Sequence, residues 1–175
     1  MEPKNKAYSS GASVKMLRTK TVAKDLTICE EWNLSIDLKL PNRSTSEWRK
    51  VFTLQVNEVL TAESSMPSVW IRPDQSSFML MITYGFETSK SHTYNVTKKV
   101  NAGNWVNLKI SQMNGKQEIK VDYKLFHSKA NYLPKSWTNV NVIMGNTGIE
   151  NLSTVVHYRN FEISTCKTKG KPFFP

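Results

Sequence analysis

Trp105-Val106-Asn107-Leu108-Lys109-Ile110-Ser111, Gln112-Met113-Asn114-Gly115-Lys116 and Gln117-Glu118-Ile119-Lys120-Val121-Asp122-Tyr123-Lys124-Leu125 form the continuous stretch that decides the fold. Val106, Leu108 and Ile110 alternate with Asn107, Lys109 and Ser111. Beyond the turn, Ile119, Val121, Tyr123 and Leu125 alternate with Lys120, Asp122 and Lys124. This period of two predicts a half-buried antiparallel hairpin, and Asn114-Gly115 supplies a dipeptide that tolerates positive φ at its turn. One face of the hairpin is apolar and requires a second sheet to cover it, while the polar face is left for water or a partner.

The same alternation extends outward along the chain. Trp32, Leu34, Ile36, Leu38 and Leu40 oppose Asn33, Ser35, Asp37 and Lys39, and Pro41-Asn42 stops the strand. Phe52, Leu54 and Val56 point inward on the next. Val69 and Ile71 oppose Trp70 and Arg72, and Phe78, Leu80, Ile82 and Tyr84 alternate with Met79, Met81 and Thr83. Further strands are expected near Val14 to Val22, over His92 to Val100, through Val140, Val142 and Met144 to Gly145, and over Val155 to Ser164. About ten short strands without an amphipathic helix predict an all-β, two-sheet antiparallel jelly-roll sandwich. Residues 1–13 read as a flexible N-terminal arm, 14–166 as a single domain, and 167–175, with Lys, Gly and Pro, as a flexible basic tail.

With 175 residues, 39% hydrophobic and 22% charged, the composition is that of a globular domain. The formal net charge of +10 favours anionic partners, whether acidic glycans, an anionic surface or nucleic acid. Nucleic acid is not expected, because Lys and Arg are spread over strands and both ends and no recognition module is present. No apolar run approaches the ~20 residues of a membrane-spanning helix, and the N-terminus lacks the apolar core of a leader, so a secreted chain would already have lost it.

Catalytic signatures are weak. A glycosidase needs two carboxylates flanking a cleft, yet Glu30-Glu31, Glu118 with Asp122, Glu150 and Glu162 form no tight alternating cluster. His92, His127 and His157 have no Gly-rich nucleophile turn beside them, and a surface or packing role is expected for each. Cys29 and Cys166 lie far apart without a neighbouring His, so they make no metal site. The chain is therefore read as a binding module and not an enzyme.

Trp105-Val-Asn-Leu-Lys-Ile, Asn114-Gly-Lys and Ile119-Lys-Val-Asp, with Trp32-Asn-Leu-Ser-Ile-Asp-Leu-Lys upstream and Arg159-Asn-Phe-Glu-Ile at the end, resemble the laminin-G-like branch of the concanavalin-like lectin and glucanase jelly rolls. The resemblance covers roughly Leu26 to Ser164. It implies an extracellular, lectin-like or cell-adhesion module that binds glycans or proteins, often with calcium. Asp25, Asp37, Asp74 and Asp122 are scattered, so calcium has no acidic cluster to hold it here and no cofactor is expected. The implied topology sets the Trp32 strand antiparallel to the last strand, which would bring Cys29 and Cys166 together as a disulfide, in keeping with an oxidising compartment. Sequons at Asn33, Asn42, Asn95 and Asn151 are glycosylation candidates, in number close to chance.

If the strands neighbour as in that family, Trp70, Arg72, Lys109, Lys120 and Lys124 would share one outward sheet face with Met79, Met81, Asn107 and Asp122. That basic and aromatic face is the expected ligand site for a glycan or acidic surface. The alternative is an adhesion surface for an extracellular protein or for a second copy of the chain.

Overall fold

The computed structural model describes residues 5–16, 20–39, 49–56, 65–72, 78–85, 91–100, 103–130, 136–145 and 156–165, with side chains described for 8–14, 20–39, 50–56, 67–71, 103–130, 136–145 and 156–165. The strands are β1 (Asn5–Ser9), β2 (Lys15–Met16), β3 (Lys20–Ile28), β4 (Trp32–Lys39), β5 (Arg49–Val56), β6 (Ser65–Arg72), β7 (Phe78–Gly85), β8 (Ser91–Val100), β9 (Trp105–Met113), β10 (Lys116–Val121), β11 (Lys124–Ala130), β12 (Trp137–Met144) and β13 (His157–Thr165). They build two antiparallel sheets. One runs β1-β13-β4-β9-β10-β11, with β2 also on β13, and the other β3-β12-β5-β6-β7-β8. This is a jelly-roll sandwich, as the alternation predicts.

Alternation decides which side chains meet. Trp32, Leu34, Ile36 and Leu38 of β4 are buried beside Val106, Leu108 and Ile110 of β9 and Ile119 and Val121 of β10. Phe52, Leu54, Val69, Ile71, Val140, Val142 and Met144 cover them from the second sheet. The two layers touch directly where Phe52 of β5 meets Phe161 of β13, with ring centroids 5.3 Å apart and planes tilted by 50°. A tilted pair at this distance is favoured by the ring quadrupoles beyond the apolar area it removes from water.

The turn at Asn114-Gly115 forms as expected. Met113 pairs with Lys116, and both turn residues have positive φ, 49° and 68°. The strand that follows is shorter than its alternation predicts. The chain reverses again at Asp122-Tyr123, where Val121 pairs with Lys124 and φ is 49° and 64°. Tyr123 and Leu125, expected in the core, are therefore exposed. The sequence hides this turn because Asp122 fits a polar strand position and no glycine follows it.

The N-terminal segment also differs from expectation. Residues 5–9 are not a loose arm but pair with β13, and Ser10 N donates to Phe161 O while Asn160 N donates to Gly11 O. Tyr8 packs on Phe161 with ring centroids 5.7 Å apart, so an aromatic anchor holds a segment whose polar composition suggested fraying. The single strand expected near Val14 to Val22 divides into β2 and the start of β3, which belong to different sheets. Residues 167–175 lie outside the described residues.

Candidate binding face

The outward side of the seven-stranded sheet is built from the positions between the core residues. Register places Arg159, Asp37 and Asn107 side by side across β13, β4 and β9, and Ser35, Lys109 and Lys120 across β4, β9 and β10. A bulge in β13 between Arg159 and Glu162 puts Asn160 in the left-handed region at φ 50° and directs its amide onto the same row.

Asp37 organises the row. Its Oδ1 accepts from Asn107 Nδ2 at 2.8 Å, and its Oδ2 accepts from Asn160 Nδ2 at 2.8 Å and from Arg159 Nε at 3.3 Å. Held there by its Nε, the Arg159 guanidinium lies over the Trp105 ring, 4.2 Å from the ring centroid. Charge, quadrupole and hydrogen bond agree on one orientation, so the fork is ordered before any ligand arrives. Asn107 is fixed from the far side as well, its N–H donating to Asp122 Oδ1 at 3.1 Å while Asp122 N donates to Asn107 O at 2.8 Å. This arrangement can present a planar cation and an aromatic edge to a carboxylate, with amides at hand for hydroxyls.

The five residues expected to share one face do not. Trp70 and Arg72 belong to β6 of the six-stranded sheet, whereas Lys109, Lys120 and Lys124 belong to β9, β10 and β11 of the other. Alternation tells inward from outward but not which sheet a strand joins, and that is where the expected grouping fails. Lys109 and Lys120 do meet as a cross-strand pair, and Lys120 Nζ lies 3.1 Å from Glu118 Oε2. Lys124 is exposed at the start of β11. On the other sheet Trp70 pairs with Lys50, whose ammonium sits 4.7 Å from the ring centroid. Lys50 is nearly buried, and that burial holds its pKa below the ordinary lysine value. The Arg72 side chain lies outside those described.

The seven-stranded face is also less basic than expected. Lys39, Lys109, Lys116, Lys120 and Arg159 stand against Asp37, Glu118 and Glu162 on the outward positions of β4, β9, β10 and β13, so the face is only mildly basic. Sequence reasoning missed Trp105, Arg159, Asp37, Asn107 and Asn160 as a group. Alternation and the β4–β13 neighbourhood put Asp37 and Arg159 on one surface, but only the register sets them opposite one another.

Elsewhere the chemistry is structural. Glu31 Oε1 accepts from Asn114 N at 3.0 Å and steadies the first turn. Among the described residues no three His, Cys, Asp or Glu side chains gather into a metal-sized group. A recess of only about 10 Å³ between the sheets, lined by the apolar side chains of Ile28, Trp32, Leu54, Val56 and Trp137 among others, is too small to hold a sugar. Cys29 is buried, and its N–H donates to Thr165 Oγ1 at 2.8 Å, so the chain next to Cys166 reaches it; Cys166 itself lies outside the described residues. Of the sequons, Asn33 is half-buried on β4, Asn95 pairs with Met81 on β8, and Asn42 and Asn151 lie outside the described residues. Among the described residues no helix is long and apolar enough to cross a membrane.

No protein-family model matches the chain, and no curated protein matches it significantly by sequence. Solved structures share its fold. A botulinum neurotoxin serotype D ligand-binding domain in complex with N-acetylneuraminic acid superposes with a TM-score of 0.60 at 11% identity, covering 89% of this chain and 43% of that one. A botulinum neurotoxin type G receptor-binding domain gives 0.57 at 11% identity over 89% and 43%. An endo-β-1,4-glucuronan lyase from the fungus Trichoderma reesei gives 0.54 at 10% identity over 87% and 79%. The chain thus spans less than half the length of the neurotoxin domains, and at these identities what it shares with all three is the β-sandwich architecture.

Proposed function

We propose that this domain is a non-enzymatic, metal-independent glycan-recognition module of the extracellular space, a relative of the laminin-G-like jelly rolls, and that it binds acidic sugars on the outward face of the seven-stranded sheet. The observation that carries this reading is the Arg159 guanidinium, fixed by Asp37 and laid on Trp105. Its two terminal amino groups fit a sugar carboxylate as a bidentate pair, and the oxygens of the Asn107 and Asn160 amides accept sugar hydroxyls. Lys109 and Lys120 border the row and add general attraction for an anionic chain. Two structural neighbours bear on the same chemistry. One holds N-acetylneuraminic acid and the other is named for glucuronan, and both are carboxylate-bearing sugars.

Titration of uronate and sialylated oligosaccharides against their neutral counterparts tests the proposal. Binding confined to the acidic set, lost in Arg159→Ala and sharply weakened in Arg159→Lys, is expected, because lysine keeps the charge but not the fork. Lys109→Glu with Lys120→Glu should weaken it less. Equal affinity of the parent and Arg159→Ala would reject the site. A salt-insensitive protein ligand would favour the adhesion reading, since ionic recognition falls with salt and an apolar interface hardly changes.

A further inference from the structure

Four large apolar side chains are exposed among the described residues, and three of them lie together: Tyr123 at 83%, Leu125 at 55% and Phe126 at 39%. They occupy the second turn and the first half of β11, the outer strand of the seven-stranded sheet. A register shift explains why two adjacent residues both escape the core. Ile119 pairs with His127 and Lys120 with Leu125, so Phe126 is an extra residue without a cross-strand partner.

The tip is held, not loose. Tyr123 has a φ of 64°, a conformation that a bulky side chain adopts only under strain, and the paired hydrogen bonds between Asp122 and Asn107 fix the turn that imposes it. Strain of this kind persists where surroundings over-determine it, and here it sets an aromatic ring out in solvent. Lys124 and Lys129 flank the apolar residues along the same strand, and both are exposed.

We propose that β11 and the Asp122-Tyr123 turn form a docking edge for an anionic lipid bilayer. Charge decides between occupants. Antiparallel pairing of β11 with a second copy would bring together two edges that each carry Lys124 and Lys129, on chains that each carry a net charge of +10. An anionic membrane instead draws the lysines to its headgroups, while Tyr123 settles at the interface and Leu125 and Phe126 enter the acyl boundary. The edge adjoins the Arg159 row through the Asp122–Asn107 hydrogen bonds but does not include Arg159, Asp37 or Trp105, and it does not depend on the glycan reading.

Flotation with vesicles of phosphatidylcholine alone, and with about one quarter phosphatidylserine, tests it. Binding to the anionic vesicles only, weakened by added salt, is expected. Lys124→Gln with Lys129→Gln should lower the partition coefficient about 25-fold, at roughly fivefold per lysine. Leu125→Ser with Phe126→Ser should lower it at least ~10-fold at unchanged melting temperature. Tyr123→Gly, which the turn accepts readily, gives a second variant that should fold at least as well as the parent yet bind less. Tyr123→Trp should blue-shift its emission on anionic vesicles, and Arg159→Ala should bind them like the parent. Failure to float with anionic vesicles, or equal flotation of the Leu125→Ser/Phe126→Ser variant, would overturn the proposal. So would a dimer in sedimentation that this variant dissolves, which would assign the edge to a second copy.

Discussion

Removing the Asp37 carboxylate should cost stability as well as binding, by an amount set by its three donors. Asn107 Nδ2 bonds it in a part-buried setting, and a hydrogen bond to a charged group there is worth about 1.5–3 kcal/mol. The Asn160 bond is exposed, and the Arg159 side chain is 37% exposed, so both can recover water, and each adds only about 0.2–1 kcal/mol. Asp37→Ala should therefore lose about 2–5 kcal/mol, equivalent to a fall in melting temperature of roughly 4–20 °C for a domain of this size. Asp37→Asn keeps the volume and one acceptor oxygen and should lose about half as much. Urea unfolding reads both, with the m-value unchanged if the fold is intact. A loss below about 0.5 kcal/mol in Asp37→Ala at constant m would mean that the network does not hold Arg159, and the argument for a preset fork would go with it.

Leu108 is fully buried between Ile36 and Val121, and Leu108→Ala should cost about 2–5 kcal/mol in the same assay; less than about 1 would contradict a close-packed inter-sheet core. Tyr123→Gly should stabilise by about 0.5–1.5 kcal/mol, because glycine relieves the positive φ and the lost side chain is mostly in water; a destabilised variant would show that the ring has a packing role. Burial and the neighbouring Lys129 hold the His127 pKa below its usual value of 6.5, so the unfolded chain takes up the proton first. Its contribution is then complete above about pH 6.5, is lost as pH falls toward the lower folded pKa, and is constant below that. His127→Gln should narrow the gap between urea midpoints at neutral and mildly acidic pH, and an unchanged gap would refute the assignment. Non-reducing mass analysis of oxidatively produced protein should find Cys29 bridged to Cys166, and two alkylatable thiols would count against both the bridge and the extracellular setting.

Most of the fold was legible because its strands announce themselves. Trp32 to Leu38 and Val106 to Ile110 alternate without interruption, each is buried on the expected side, and Asn114-Gly115 marks its own turn. The second turn was not legible. Asp122-Tyr123 has neither Asn-Gly nor Gly, and tertiary hydrogen bonds to Asn107 impose a conformation that local propensity does not favour. β11 went unnoticed for a related reason, since an edge strand with a bulge buries no face and leaves no alternation to read. The candidate face shows a different limit. Trp70 and Lys109 are both outward, as alternation says, but opposite sheets carry them, and sheet membership rests on long-range pairing that no local pattern encodes.

The position of β13 has a consequence for how the chain reaches this structure. It lies between β1 and β4 and carries β2 as well, so among the described residues the strand partner of residues 5–9, and of one of the two edges of residues 32–39, is residues 157–165. At ordinary rates of synthesis, roughly 6 to 25 s separate the emergence of β4 from that of β13. Through that interval one edge of β4 can pair with β9 once that strand emerges, and the opposite sheet can cover its apolar side, but its other edge stays open. Topologies dominated by such distant pairings fold in milliseconds to seconds once the chain is complete, slowly for their size. The growing chain therefore carries an adhesive strand edge for longer than its finished form ever will, and a chaperone that shields extended segments should improve its yield more than one that acts on the released protein.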